Sequence, residues 1–134
     1  MVILLNKSIG VDEAKELLRE IGVESPAAIE IMAQKMVHLL IKISGVKSVA
    51  ANIIKQEMLA VGGDAAVSHG VIDLSVATTD VLIMGTYEQI HRSLQMLKIQ
   101  PFGLATIADE IEHVLEANDL REISKGGEGR GCCQ

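Results

Sequence analysis

Tryptophan is absent from this 134-residue chain, and one tyrosine (Tyr87) and one phenylalanine (Phe102) are its only large aromatic residues. That scarcity excludes recognition by stacking. There is no platform for single-stranded nucleic acid, no cage for a quaternary ammonium and no aromatic groove for Pro-rich peptides. Cysteine is almost as rare: Cys132 and Cys133 are the only two. A disulfide framework is thereby excluded, and a reducing cytoplasm is the natural setting. Basic charge is also short, with 12 Lys and Arg against 18 Asp and Glu and a net charge of −6. This is the wrong sign for a phosphate backbone, so no nucleic-acid partner is expected. Long apolar runs are missing too. The most apolar stretch, 36–46, is interrupted by His38 and Lys42 and is far shorter than the roughly 20 residues of a membrane span. No membrane is expected, and the opening MVILLNKSIG, without a basic segment before its apolar run, does not read as a signal peptide.

What is there is aliphatic. Hydrophobic residues make up 49% of the chain, so the core must be built from Leu, Ile, Val, Ala and Met. A chain of this size buries enough surface to fold without a disulfide or metal staple. Val2 to Leu5 is short enough for a buried strand. Val11 to Ile21 reads as a helix, with Asp12 and Glu13 in its first turn and Gly22 at its end. Ser25 as cap and Pro26 at the first helical position open a second helix, whose unbroken pattern predicts a run over 27–43. Its polar residues Glu30, Gln34, His38 and Lys42 fall four apart in one narrow stripe. So apolar a helix suggests a central element or an oligomer contact, and a homo-oligomer through helix 27–43 is expected.

Val46 to Val61 reads as a third helix, closed by Gly62-Gly63. Ala65 to Ser68 reads as a loop, and Val71 to Val76 as a strand. Val81 to Met84 is a continuous apolar run, which suggests a strand covered on both faces. Thr86 and Gln89 have the spacing of a capping box and open a helix to about Lys98, burying Tyr87, Ile90, His91, Leu94 and Leu97. Gln100-Pro101 breaks it, and a last helix runs from about Gly103 to Ala117, with Phe102 placed to wedge it onto the core. Six carboxylates between Asp109 and Glu122 read as a solvated helix face. The fold expected is a helix-dominated α/β domain over residues 1–120 with a small sheet of two or three short strands. Residues 121–134 read as a flexible, Gly-rich tail.

One block is specific beyond composition. It runs from Lys55-Gln56-Glu57-Met58 through Gly62-Gly63-Asp64-Ala65-Ala66-Val67 to Gly70. Thr79-Asp80-Val81-Leu82-Ile83-Met84-Gly85-Thr86 follows, and then Gln100-Pro101-Phe102-Gly103-Leu104. Over about residues 46–117 this resembles the N-terminal extension of a subset of bacterial and archaeal dihydropteroate synthase-like proteins, carried ahead of their catalytic barrel. The resemblance implies a place in folate or pterin metabolism. It carries over no catalytic residue, because 134 residues cannot form a (β/α)₈ barrel of about 250.

The candidate site residues are Gly62, Gly63, Asp64, His69, Asp80, Gly85 and Thr86. A glycine pair lets backbone amides approach an anion, and Asp64 can accept from a hydroxyl or ring nitrogen; the same residues also suit a helix end and a tight turn. Gly85-Thr86 lies at a strand-to-helix turn, where free amides favour anions. His69 near Asp64 and Asp80 would have acid–base capacity. Glu57, at the edge of an apolar face, needs a partner from elsewhere in the fold. The remaining histidines, His38, His91 and His113, fall on three different expected helices, so no metal site is expected. No nucleophile–base pair, cofactor fingerprint or catalytic residue stands out. The reading is a non-catalytic accessory or assembly domain with a small-molecule or protein partner in folate metabolism. The alternative is a pterin, folate or nucleotide binder using the Gly62-Gly63-Asp64 loop and the Gly85-Thr86 turn.

Overall fold

The helix opened by Ser25 begins as expected and ends early. The Ser25 hydroxyl accepts from the Ala28 N–H at 3.3 Å and Pro26 sits in the first turn, but the helix stops at Met36. Val37 turns extended (φ −91, ψ 110), and His38–Lys47 is the longest strand among the described residues. Residues 27–43 are therefore a helix followed by a strand, and the long apolar helix expected as an oligomer contact does not exist. The repeat of four polar residues fits both elements. It approximates one helical turn, but it is also two full periods of a strand, so His38 and Lys42 share a face in both. Inside the strand Leu39, Ile41 and Ile43 are buried, while Leu40, Lys42 and Ser44 between them are half-buried.

The computed structural model describes residues 1–120. The expected tail 121–134, with Cys132, Cys133 and the charges Arg121 and Glu122, lies outside the described residues. The elements in chain order are β1 (Val2–Lys7), α1 (Val11–Ile21), α2 (Pro26–Met36), β2 (His38–Lys47), α3 (Ser48–Ala60), β3 (Asp64–Ala66), a 3₁₀ turn (His69–Val71), β4 (Thr78–Thr86), α4 (Tyr87–Leu97) and α5 (Leu104–Ala117). The architecture is α/β, as expected, with four strands rather than two or three. The strands form one antiparallel sheet in the order β1-β2-β4-β3. Segments 65–68 and 71–76 exchange their expected roles. Asp64–Ala66 pairs with β4, whereas the chain after His69 forms tight turns, with the Ser75 N–H donating to the Gly70 carbonyl.

Register places Ile41 opposite Ile83 and Ile43 opposite Val81, so their side chains point to one face. There they join a single core with Ile54 and Met58 of α3, Ile90, Leu94 and Leu97 of α4, and Leu104 and Ile111 of α5. The α4 start carries both halves of the capping box: Thr86 Oγ1 accepts from the Gln89 N–H at 3.1 Å, and Gln89 Oε1 accepts from the Thr86 N–H at 2.9 Å. Phe102 does not wedge α5 onto the core. It is 57% exposed at φ +64, and Leu104, fully buried, takes that place.

The opposite face of the sheet differs from expectation. Leu40, Leu82 and Met84 are half-buried and take no part in the core, and Ile3 and Leu5 of the edge strand are exposed. The Val81 to Met84 run is thus buried on alternate residues rather than covered on both faces. No helix among the described residues is long and apolar enough to cross a membrane.

Candidate functional site

The motif residues converge on the last turns of α3. Lys55 points to β3, where its ammonium donates to Asp64 Oδ1 at 3.0 Å and to the Ala65 carbonyl at 2.7 Å. Glu57, on another side of the helix, accepts from Gln100 Nε2 at 3.2 Å. The carboxylate at the edge of the apolar face thus finds its partner in the Gln100-Pro101-Phe102 connector. Lys55 is engaged with Asp64 and Ala65 instead. Met58, fully buried, lies beneath both glycine turns. Helical geometry makes this division unavoidable, because residues two apart face nearly opposite ways.

The glycines meet in a crowded space. A Cβ on Gly63 would lie 2.6 Å from Met58 Cε and 2.9 Å from the Met84 carbonyl oxygen, and one on Gly85 would lie 2.9 Å from Gln89 Oε1. A Cβ on Gly62 would stand 3.1 Å from Gln89 Nε2, and Gly62 also holds φ +93 at the end of α3. Met58 and Gln89 fill the room that these glycines leave. The Gly62-Gly63-Asp64 loop and the Gly85-Thr86 turn are therefore neighbours, joined by the pairing of Asp64 with Met84 and by Gln89.

His69 and Asp80 lie apart from that group. Asp80 is five residues back along β4 from Gly85, a separation of about 17 Å at strand rise. Its carboxylate accepts from the Gly45 N–H at 3.1 Å, where β2 changes register, and stands 3.8 Å from Lys42 Nζ. His69, exposed, begins the 3₁₀ turn beyond β3. Five of the seven candidates, Gly62, Gly63, Asp64, Gly85 and Thr86, are thus brought together and two are not. The antiparallel sheet also removes the rule that places ligands at the carboxyl ends of parallel strands.

Asp64 is the one member of the group with perturbed ionisation. The Lys55 ammonium and then the Ala65 N–H hold its carboxyl below the ordinary carboxylate range. A depressed native pKa contributes stability that is complete above the unfolded value of about 4 and drains as pH falls through the native value. Asp64→Asn is therefore expected to flatten the acid limb of a Tm-against-pH curve relative to wild type. Parallel curves below about pH 4 would show that the Lys55 contact contributes nothing.

Sequence reasoning missed one concavity. Met1 and Val2 of the β1 edge and Thr106, Asp109, Glu110, His113 and Val114 of α5 line an open groove of about 550 Å³. The helix spacing 106, 109, 110, 113, 114 marks one face of α5, but nothing in the sequence pairs that face with the amino terminus. The groove is at the sheet edge opposite β3. Among the described residues no group of three or more His, Cys, Asp and Glu is placed to hold a metal. His38 opens β2 rather than sitting on a helix.

Comparison with known proteins agrees with the motif resemblance. The chain is 32% identical over 114 residues to a bifunctional dihydropteroate synthase/dihydropteroate reductase of Helicobacter pylori. It is 32% identical over 120 and 104 residues to probable bifunctional folylpolyglutamate synthase/dihydropteroate synthases of Haloferax volcanii and Halobacterium salinarum. These matches take in 85%, 88% and 78% of this chain but only 30%, 14% and 12% of the three relatives. The chain therefore resembles a portion of bifunctional proteins that include a dihydropteroate synthase, and spans under a third of their length. No family model matches it, and no solved structure does.

Proposed function

We propose that this chain is an accessory domain of folate metabolism, non-catalytic by itself, that works by assembly alongside synthase chemistry in the cytoplasm. The observation that carries the reading is one of length. If 114 matched residues are 30% of the Helicobacter pylori protein, that protein has about 380 residues. About 266 lie outside the match, enough for one (β/α)₈ barrel of about 250. An unmatched length sufficient for a barrel supports reading the matched part as an accessory segment. The packed glycine turns, filled by Met58 and Gln89, support a structural duty for the motifs rather than an anion cradle.

A second reading takes the other activity in that relative's name. With the synthase assigned to the barrel by length, the remaining segment becomes the candidate for dihydropteroate reduction. Such chemistry needs a hydride donor and a ring-sized cavity. The three glycines of the candidate site are packed against Met58 and Gln89 instead, which favours the accessory reading.

A thermal-shift series separates the two. A ligand at about 100 times its Kd stabilises its protein by about 2.7 kcal/mol, several degrees in a domain of this size. The accessory reading expects no change in Tm with dihydropteroate, pterin, folate or nucleotide at about 1 mM. A rise of several degrees with dihydropteroate would overturn it in favour of the second reading.

A further inference from the structure

We propose that the open face of the sheet, built by Ile3, Leu5, Leu40, Leu82 and Met84, is the surface on which a second copy of this chain docks. The inference deepens the assembly reading by naming the face and its occupant. Register puts Leu40 opposite Met84 and Lys42 opposite Leu82, with Ile3 opposite Lys42 on the other side of β2, so these side chains form one continuous patch, and Leu5, exposed, falls at the register shift of β1 beside it. None of them belongs to the core or to the partly buried residues packed against it among the described residues.

Charge selects the occupant. By register the face carries Asp80, 3.8 Å from Lys42, and Asp64 beside Met84, which is paired with Lys55, so its charges balance. The acidic surplus of the chain is elsewhere: Asp12, Glu13, Glu16 and Glu20 are on α1, and Asp109, Glu110, Glu112 and Glu116 are on α5. Two copies of an acidic protein can meet on this face without opposing their carboxylates, and a two-fold axis lets each Lys42 approach the other copy's Asp80. The segment 121–134 is a poor alternative occupant, because Ile123 is its one aliphatic residue.

Area agrees. The strands hold six, ten, three and nine residues. At about 3.3 Å by 4.8 Å per residue they give a flat footprint of roughly 440 Å² per copy. Side-chain relief raises this to the neighbourhood of the roughly 500 Å² per partner at which specific interfaces begin. The dimer expected is accordingly a reversible one in the micromolar range. The sheet edges are not competing contacts: β3 is three residues long and β1 is interrupted by a register shift between Leu4 and Asn6, both of which blunt edge pairing.

Sedimentation equilibrium of the full chain from about 5 to 300 μM tests this, with no pteridine present, so the result is independent of the folate assignment. The mass is expected to rise from 14.4 kDa toward twice that value across the series. Leu82→Glu and Leu40→Glu, both pointing away from the core, are expected to hold the chain monomeric with an unchanged far-UV circular dichroism spectrum. If either fails to fold, Ile3→Ser at the exposed edge carries the same test. A wild-type chain that is monomeric throughout overturns the proposal. So does a dimer that survives all three folded substitutions, which would move the contact to another surface, such as the exposed Ile99 and Phe102.

Discussion

Ile41→Ala is expected to lower the unfolding free energy by about 2–5 kcal/mol, while Leu40→Ala, one residue away, costs about 1 kcal/mol or less. Ile41 is fully buried in the central strand, opposite Ile83, and its side chain faces α3 and α4 across the core. Truncation removes three carbons from a site where the paired backbone prevents collapse, so the cavity adds to the lost transfer energy. Leu40 points to the open face, where the truncated surface stays partly in contact with water. Chemical denaturation at low micromolar protein, where association is weakest, measures both. For a chain of this length the Ile41 change corresponds to a fall in Tm of roughly 6–20 °C. Equal costs at the two positions would contradict the strand, because a helix would not alternate burial between adjacent residues.

Gly63→Ala is expected to cost about 1–3 kcal/mol, and Gly63→Asn more than Gly63→Ala. The obstruction is steric. Met58 Cε can swing aside, but the Met84 carbonyl 2.9 Å from the new Cβ belongs to the β3–β4 pairing and cannot move without breaking it. Gly45 provides the opposite case. Nothing lies within 4 Å of its Cβ position, but φ is +69, so the cost of Gly45→Ala is conformational. Asparagine tolerates that region better than alanine, and Gly45→Asn is expected to be milder than Gly45→Ala. The order of Ala and Asn should therefore reverse between the two sites in thermal denaturation. The same order at both would mean that crowding at Gly63 is relieved by backbone movement.

Where local chemistry was decisive, the elements were legible in the sequence. Helix α1 has the expected bounds, because Gly22 at φ +109 stops it after an amphipathic run. Thr86 and Gln89 cap α4 as their spacing predicts, and α5 starts beside Gly103. The candidate site was legible in part. The two glycine turns were identifiable as turns, but their adjacency depends on β3 pairing with β4, and the Glu57–Gln100 contact spans 43 residues. Neither has a signal at short range.

The near-absence of aromatic residues, the missing disulfides, the acidic balance and the caps are properties of composition and nearest neighbours, and the sequence alone determined what they exclude. Three things were decided only by tertiary structure. Residues 38–43 became a strand because β1 and β4 offered hydrogen bonds on both sides, a choice that an unbroken apolar run leaves open. Asp64–Ala66 became a strand, although too short to carry any periodicity, because one edge of β4 was free to pair. Among the described residues one aliphatic face of the sheet stayed out of the core, because the buried helix residues pack with the other face. Alternation identifies two faces of a strand; only the packing of distant helices chooses which of them is filled.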